Sequence, residues 1–104
     1  MSTTAEPLFA PDTRVRIAPS VYARAFGAEI ILLEFHRGEY FGLDPIGADV
    51  WRLLEQGNTL GGTADALVER YDVSHETALR DIVSLVAHMR DSGLVETEPS
   101  AKAR

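Results

Sequence analysis

The apolar residues follow a strand-like rhythm in the first half of the chain and a helix-like rhythm in the second half. Between residues 14 and 44, apolar and polar residues alternate in short runs that Pro19, Gly27 and Gly38 interrupt. After Pro45, apolar residues recur at intervals of three and four. Since a period of two is typical of strands and a period near 3.6 of helices, the pattern predicts a sheet followed by helices.

Four strands are predicted before the helices. Arg14–Ile17 is a brief alternating run. The next three runs, Val21–Phe26, Glu29–Phe35 and Tyr40–Asp44, are separated by turn residues and predict a three-stranded antiparallel meander. We expect the last of these strands to lie at the edge of the sheet.

The turn at His36–Gly38 sets the register of the predicted edge strand. A three-residue loop with Gly38 in the left-handed region is a common hairpin connection. With this loop, the predicted pairs are Phe35 with Glu39, Leu33 with Phe41, and Ile31 with Leu43. The resulting register places five apolar side chains on one face of the sheet.

Three helices are predicted after the sheet, and together these elements predict an α+β fold. Asp44 is the expected N-cap of the first helix, and Pro45 is its expected first residue, where a missing N–H costs nothing. Ser74 is the expected N-cap of the third helix. The predicted helices run from Pro45 to Gly57, from Thr59 to Tyr71, and from Ser74 to Ser92.

The third predicted helix carries an unusually wide apolar stripe. At about 100° per residue, its apolar side chains cover an arc of about 160°. Their order around the helix is Leu85, Ala78, Met89, Ile82, Val86, Leu79 and Val83. The first four form the expected core stripe, and Leu79 and Val83 lie at the far margin. Two interpretations follow: either the domain buries the whole stripe, or the margin lines an exposed groove.

Length and composition predict one small domain. The chain has 104 residues, of which 45% are hydrophobic, enough for a single modest core. We assign this domain to residues 13–95. Residues 1–12 and 96–104 are rich in small, polar and charged residues, and we expect them to be disordered tails.

Charge and residue usage exclude several classes of function. The formal net charge of −6 disfavours nucleic-acid binding, which depends on Lys and Arg. The chain has no cysteine, which excludes disulfides and thiolate metal sites. The longest apolar run, Ile30–Leu33, is too short to span a bilayer, and the first twelve residues carry no secretory signal. These features predict a cytoplasmic protein without a membrane association.

No catalytic constellation is visible in the sequence. His36, His75 and His88 are not spaced as metal ligands, and no acidic residues are arranged around them as a metal site. There is no phosphate-binding loop and no nucleophile elbow. We therefore expect a protein that is not an enzyme and that has neither a metal nor another cofactor.

A family resemblance rests on the segment from Leu32 to Trp51. Its most specific part is Gly-x-Tyr-Phe-Gly-Leu-Asp-Pro-x-Gly-Ala-x-Val-Trp, which ends at Trp51. This segment, two further helices and a Gly-Leu-Val ending resemble the PqqD-like family, the recognition elements for precursors of ribosomally made, post-translationally modified peptides. The resemblance covers roughly Val21–Val95. Within the family, the chain is most similar to the stand-alone leader-binding proteins of lasso-peptide pathways.

The resemblance implies a winged helix-turn-helix that binds the leader of a precursor peptide. It implies a non-catalytic adaptor that delivers this leader to a processing enzyme, either a leader peptidase with a cyclase or a radical SAM enzyme. In the family, the leader adds a strand to the edge of the third strand and rests against the third helix. By position, the peptide-binding residues are Glu39, Tyr40, Phe41, Gly42, Leu43 and Asp44 on the strand, and Leu79, Arg80, Val83, Val86 and Arg90 on the helix.

Each of these residues also has an ordinary structural role, and the fold allows a second function. Phe41 and Leu43 suit the core, while Arg80 and Arg90 are either solvated charges or cations that steer an acidic leader. The alternative function is that of a DNA-binding winged helix-turn-helix regulator. A recognition helix displays mostly Arg, Lys, Asn or Gln, whereas the third helix mixes acidic and basic residues. A structural module that binds another protein is a further alternative.

Overall fold

The computed structural model describes residues 10–98, in which five strands and three helices follow one another. In chain order the elements are β1 (Arg14–Ile17), β2 (Val21–Phe26), β3 (Glu29–Glu34), β4 (Glu39–Leu43), α1 (Pro45–Glu55), α2 (Leu60–Arg70), α3 (His75–Asp91) and β5 (Val95–Glu98). β2, β3 and β4 form an antiparallel sheet in that order, and the helices follow it. The predicted α+β fold is confirmed, and the arrangement agrees with a winged helix-turn-helix.

A second sheet joins the two ends of the described chain. β1 and β5 pair antiparallel along their whole length. On this sheet, Arg16 Nη2 lies 2.7 Å from Glu96 Oε1, and Arg16 Nε lies 3.7 Å from Glu98 Oε2. Three residues beyond Val95 therefore belong to a strand.

Two features lie outside the bounds predicted for the domain, residues 13–95. Besides the strand at the C-terminal end, the carbonyl of Pro11 accepts a hydrogen bond from the N–H of Gly61 at 2.7 Å. Main-chain hydrogen bonds hold these flanking residues in place although their composition is polar. The remaining parts of the predicted tails, residues 1–9 and 99–104, lie outside the described residues.

The observed pairing of β3 with β4 differs by one residue from the predicted register. The loop has four residues, Phe35–Gly38, although Gly38 has the expected positive φ, 66°. The observed pairs are Ile30 with Leu43, Ile31 with Gly42, Leu32 with Phe41, Leu33 with Tyr40, and Glu34 with Glu39. Because side chains alternate along a strand, the shift moves Ile31, Leu33 and Phe35 to the face opposite Phe41 and Leu43.

The side chain of Glu34 accounts for the longer loop. Although it is only 3% exposed, its carboxylate accepts hydrogen bonds from the Ser20 hydroxyl at 2.6 Å and from the Arg37 N–H at 2.7 Å. The carbonyl of Glu34 accepts a further bond from the N–H of Gly38 at 2.8 Å. The Ser20 hydrogen bond lowers the pKa of Glu34 despite the opposing effect of burial. The carboxylate of Glu34, at the end of β3, thus holds the four-residue loop together.

The helix starts agree with the predicted caps. Asp44 Oδ1 accepts a hydrogen bond from the N–H of Gly47 at 2.8 Å, and Ser74 Oγ accepts one from Thr77 at 3.1 Å. Each bond satisfies a main-chain donor that the first turn of a helix leaves unpaired. Because Asp44 directly follows β4, the strand and α1 are joined without a spacer.

α1 packs against β3 and β4 of the three-stranded sheet, and the helices enclose the core with these two strands. The most deeply buried large side chains include Leu32, Trp51, Leu54, Leu60, Ile82 and Val86. On α3, a central line of Ala78, Ile82, Val86 and Met89 is buried, whereas Leu79, Val83 and Leu85 at the two margins are half-buried. No helix within residues 10–98 has both the length and the apolar character needed to cross a membrane.

Candidate functional site

One edge of β4 has no strand beside it among the described residues. The N–H of Phe35 donates to the carbonyl of Ser20, toward β2, at 2.9 Å. Because the main-chain groups of successive residues point to opposite sides, those of Glu34 point toward β4. The main-chain groups of Glu39, which pairs with Glu34, therefore point back toward β3. The alternation therefore leaves the N–H and C=O groups of Tyr40 and Gly42 at the free edge.

A cavity of about 500 Å³ opens beside the end of this strand. Gly42, Leu43 and Asp44 line it from β4 and the cap of α1. The helices contribute Ile46, Gly47 and Val50 from α1, Leu67 from α2, Tyr71 and Val73 from the following turn, and Ala78, Asp81, Ile82 and Leu85 from α3. Most of these side chains are apolar. The cavity thus places an apolar surface directly beside unpaired main-chain groups.

A hydrogen bond between α1 and the end of α2 fixes the far wall of the cavity. The hydroxyl of Tyr71 donates to Asp49 Oδ2 at 2.5 Å. The same carboxylate lies 3.6 Å from Arg52 Nη1 and 3.5 Å from Arg70 Nη1. The hydrogen bond to Asp49 raises the pKa of Tyr71, and desolvation by burial adds to this effect. The hydrogen bond therefore holds the ring of Tyr71 in the cavity wall.

The six predicted strand residues lie in different environments. Leu43 is buried and Phe41 is half-buried, both on the core face, which agrees with their predicted core role. Tyr40 points to the opposite face and is 71% exposed. Glu39 lies beside the loop, 4.0 Å from Arg37. Only Gly42, Leu43 and Asp44 reach the cavity.

Four of the five predicted helix residues lie on a different flank of α3 from the one that lines the cavity, and the fifth, Val86, lies on the buried central line. Val86 is fully buried, Leu79 and Val83 are half-buried against the core, and Arg80 is exposed. Arg90 Nη2 lies 3.6 Å from Asp91 Oδ1. None of these five residues lines the cavity beside β4.

The cavity-lining residues of α3 were not among the predicted site residues. Ala78, Asp81, Ile82 and Leu85 follow helical spacing, so their common flank is visible in the sequence. The packing of the whole domain decides which margin of the apolar stripe of α3 faces the sheet. No local sequence pattern indicates this choice. Asp81 and the predicted Asp44 line the cavity with their carboxylates, whereas Arg80 and Arg90, suggested for the rim, do not line it.

The described residues offer no alternative centre for metal chemistry. Within residues 10–98, no group of three or more His, Asp or Glu side chains is placed to hold a metal ion. His75 Nε2 lies 2.9 Å from Asp65 Oδ1, an isolated pair on the surface. The free edge and the adjoining cavity are therefore the features with the clearest capacity to bind a ligand, and the ligand they suit is an extended chain.

The family assignment agrees with this geometry. Residues 29–95 match the family of coenzyme PQQ synthesis protein D (PqqD), and the chain belongs to this family. The matched region begins with β3 and ends at the start of β5, so it includes both β4 and the cavity.

Two solved structures resemble the chain over most of its length. One is TbiB1 in complex with the TbiA(beta) leader peptide, which is 32% identical with a TM-score of 0.76 and covers 78% of this chain and 94% of that chain. The other is lasso peptide synthetase B1 complexed with the leader peptide, which is 27% identical with a TM-score of 0.72 and covers 82% of this chain and 98% of that chain. No curated protein sequence matches the chain significantly.

Proposed function

We propose that this protein is a non-catalytic adaptor that binds the leader of a ribosomally made precursor peptide. The leader adds as a fourth strand beside β4, and the adaptor delivers it to a separate processing enzyme. The observation that carries this proposal is the free edge at Tyr40 and Gly42 next to an apolar cavity. Two relatives of the same fold are complexes with leader peptides, which supports this choice of ligand.

The chemistry of the edge suits an extended peptide. An edge strand offers N–H and C=O groups in a fixed row, and a peptide strand satisfies them without regard to its side chains. Specificity then comes from alternate side chains, which point to one face of the sheet. On the core face, these side chains lie next to Phe41 and Leu43 and enter the cavity. We therefore propose a peptide site formed by Glu39–Asp44 and the flank of α3 that faces them.

The cavity favours an apolar side chain from the leader. Ile46 is 49% exposed and Leu85 is half-buried, so a ligand that covers them removes apolar surface from water. At roughly 25 cal/mol per Å², covering an area of about 100 Å² stabilises the complex by about 2.5 kcal/mol. Backbone pairing and this burial act together, which makes the pair of features a better peptide site than either one alone.

The proposed partners are the precursor peptide and an enzyme that processes it. A leader peptidase acting with a cyclase fits the lasso-type relatives, and a radical SAM enzyme is the other candidate. We place the protein in the cytoplasm, where precursor peptides are made. The DNA-binding alternative is disfavoured, because the net charge is −6 and carboxylates line the cavity.

The decisive experiment compares processing of the precursor with and without this protein. A bound leader raises the effective concentration of the peptide at its enzyme, so we expect processing to slow at least tenfold when the adaptor is omitted. A fusion of the adaptor to the enzyme through a flexible linker should restore the rate. Mass spectrometry of the precursor over time measures both effects.

The control sample contains only the precursor peptide and this protein. The mass of the peptide should stay unchanged in this mixture, since the proposed adaptor has no chemistry of its own. A cleaved or cyclised product in the control would contradict the proposal. So would an equal processing rate with and without the protein.

A further inference from the structure

The cavity beside β4 lies between two walls that belong to different parts of the fold. Residues 42–50, at the end of β4 and the start of α1, contribute the first wall. Residues 67–85, in α2, α3 and the turn between them, contribute the second wall. The chain that connects the walls, residues 51–66, does not line the cavity. The contacts between the walls therefore set their separation.

A polar link joins the two walls. Tyr71 lines the cavity on the second wall, and its hydroxyl donates a hydrogen bond to Asp49 Oδ2 on α1 at 2.5 Å. Arg70 Nη1 lies 3.5 Å from the same oxygen. Within residues 10–98, no other side-chain hydrogen bond connects residues 42–50 with residues 67–85. The Tyr71–Asp49 link is thus the directional contact between the walls.

The main chain couples the position of Tyr71 to that of α3. The N–H of Tyr71 donates to the carbonyl of Leu67 at 2.8 Å, and the carbonyl of Tyr71 accepts from the N–H of Val73 at 2.9 Å. Ser74, the cap of α3, follows directly. Because hydrogen bonds fix the turn on both sides of Tyr71, a shift of this residue moves the start of α3 as well.

We propose that Tyr71 is a positioning residue of the peptide site, and this inference rests on the proposed function. Its hydrogen bond to Asp49 sets the width of the cavity and so determines which side chain of the leader the cavity accepts. The walls are mostly apolar and include Leu43, Ile46 and Leu85, so the accepted side chain is a large apolar one.

The fit of that side chain depends steeply on the width of the cavity. A radial gap of about 0.5–1 Å removes roughly a quarter to a half of the energy of a dispersion contact. A small widening therefore weakens the binding of a side chain that fills the cavity. It hardly affects an alanine at the same position, because alanine does not reach the far wall. Tyr71 thus acts on the selectivity of the site as well as on its affinity.

The hydrogen bond of Tyr71, and not the ion pairs of Asp49, is the effective part of the link. The side chains of Arg52 and Arg70 are 39% and 53% exposed, and exposed ion pairs contribute little. A hydrogen bond to a carboxylate is stronger than one between neutral groups. Asp49→Asn keeps an acceptor for the hydroxyl of Tyr71 and removes the charge, so this variant separates the two contributions.

The experiment removes the hydrogen bond from either side. Tyr71→Phe keeps the ring and removes the donor, and Asp49→Ala removes the acceptor. Tyr22→Phe on β2 loses an exposed hydroxyl and is the matched control. Fluorescence anisotropy measures the affinity of each protein for the labelled leader of the precursor encoded beside this protein. The same measurement is made with a panel of single-alanine variants of that leader.

We expect Tyr71→Phe and Asp49→Ala each to weaken binding of the unchanged leader by about fivefold or more. The double variant should lose no more than either single variant, because both changes remove the same bond. Asp49→Asn and Tyr22→Phe should stay within about twofold of the wild type. At one position of the leader, the penalty for alanine should be at least threefold smaller with Tyr71→Phe than with the wild type.

Two results would overturn the inference. One is a set of alanine penalties that Tyr71→Phe leaves unchanged at every position of the leader, and the other is Asp49→Asn binding as weakly as Asp49→Ala. All affinities are measured at a temperature at which circular dichroism shows every variant to be folded. If the wild type itself fails to bind the leader, the proposed function fails instead.

A measurement on the wild type covers the case in which the variants do not fold. The ring proton signals of Tyr71 should shift when the leader is added, while those of Tyr22 should not. Tyr71 signals that stay unchanged at saturating leader would overturn the inference.

Discussion

Leu85 and Val83 are only two positions apart on α3, yet they belong to opposite margins of its apolar stripe. Leu85 lines the cavity beside β4, whereas Val83 is half-buried on the other margin. The helical period predicts the order of side chains around the helix. It does not predict how the helix is rotated against the sheet, because that rotation depends on all the packed side chains. The stripe was therefore predictable and the side that forms the cavity was not.

A pair of charge substitutions tests this assignment. Leu85→Asp should weaken leader binding by about 1–3 kcal/mol, because the complex would bury an unpaired carboxylate. Val83→Asp should change leader affinity by less than twofold. Fluorescence anisotropy with a labelled leader measures both values.

Thermal unfolding of the two variants provides the control, since both changes place a charge on a half-buried position. The comparison is valid at a temperature at which both proteins are folded. If Val83→Asp weakened binding and Leu85→Asp did not, the peptide would contact the margin predicted from the sequence, which includes Leu79 and Val83.

Glu34 couples the stability of the β3–β4 loop to pH. Its pKa in the folded protein lies below the ordinary value of 4.5, chiefly because of the Ser20 hydrogen bond. Its stabilising contribution is therefore complete above the ordinary pKa and is lost as the pH falls through the lowered folded value. We expect Glu34→Gln to unfold with a weaker pH dependence than the wild type below about pH 5, because an amide does not titrate.

Urea unfolding between pH 3 and pH 7 measures this difference. The Ser20→Ala variant is the matched control, since it keeps the carboxylate but removes the hydrogen bond that lowers its pKa. Its stability should fall less than that of the wild type as the pH drops below about 5, because its folded-state pKa lies closer to the unfolded value. Parallel pH profiles for all three proteins would contradict the role of Glu34.

At the scale of elements, the sequence predicted the strands and helices better than the pairing between them. Asp44, Ser74 and the glycine at position 38 act locally, and their roles were predicted correctly. The register of β3 was not, because Ile30–Leu33 is apolar at four successive positions and offers both faces equally to the core. The loop decides between the predicted and the observed register. The buried carboxylate of Glu34 stabilises a loop of four residues in place of the predicted three.

The orientation of main-chain groups on β4 gives a test of strand addition. Tyr40→Pro removes an N–H at the free edge without removing a bond to β3, so the fold should persist. Leader affinity should fall by about 0.5–1.5 kcal/mol for the lost hydrogen bond. Tyr40→Ala keeps the N–H and removes only the side chain, and its leader affinity should exceed that of Tyr40→Pro. Calorimetric titration measures these affinities.

Phe41→Pro tests the same orientation from the opposite side. The N–H of Phe41 points toward β3, so proline at this position breaks a bond of the existing sheet. Circular dichroism should show a larger loss of thermal stability for Phe41→Pro than for Tyr40→Pro. Equal losses would mean that the free edge does not begin at Tyr40.

For the whole molecule, the order of the strands and helices was predictable, but the pairing of the first strand with the last was not. Arg16 and Glu96 are 80 positions apart, and no local pattern in either segment indicates that they meet. The predicted domain therefore ended at Val95, three residues before the end of β5. Polar residues in a short strand resemble a tail when their partner strand is not known.

Truncation measures the contribution of β5. A chain that ends at Val95 should be less stable than one that ends at Glu98 by about 1–3 kcal/mol, because it loses the main-chain pairing of β5 with Arg14 and Arg16. The exposed ion pairs of Arg16 add little. Thermal denaturation should place the shorter chain several degrees below the longer one, at roughly 4–8 °C for each kcal/mol. Equal midpoints would mean that β5 is dispensable.

The pairing of β1 with β5 also makes this domain suitable for insertion into another protein. Arg14 lies directly opposite Glu98, so the start of the first strand and the end of the last strand are neighbours. Opposed residues in an antiparallel pair have Cα atoms only about 4.5–5.5 Å apart. A host protein could therefore accept the whole domain within one surface loop, with almost no separation of the loop's ends. The free edge of β4 belongs to the other sheet and would stay open, so an enzyme could acquire its own leader-binding module by a single insertion.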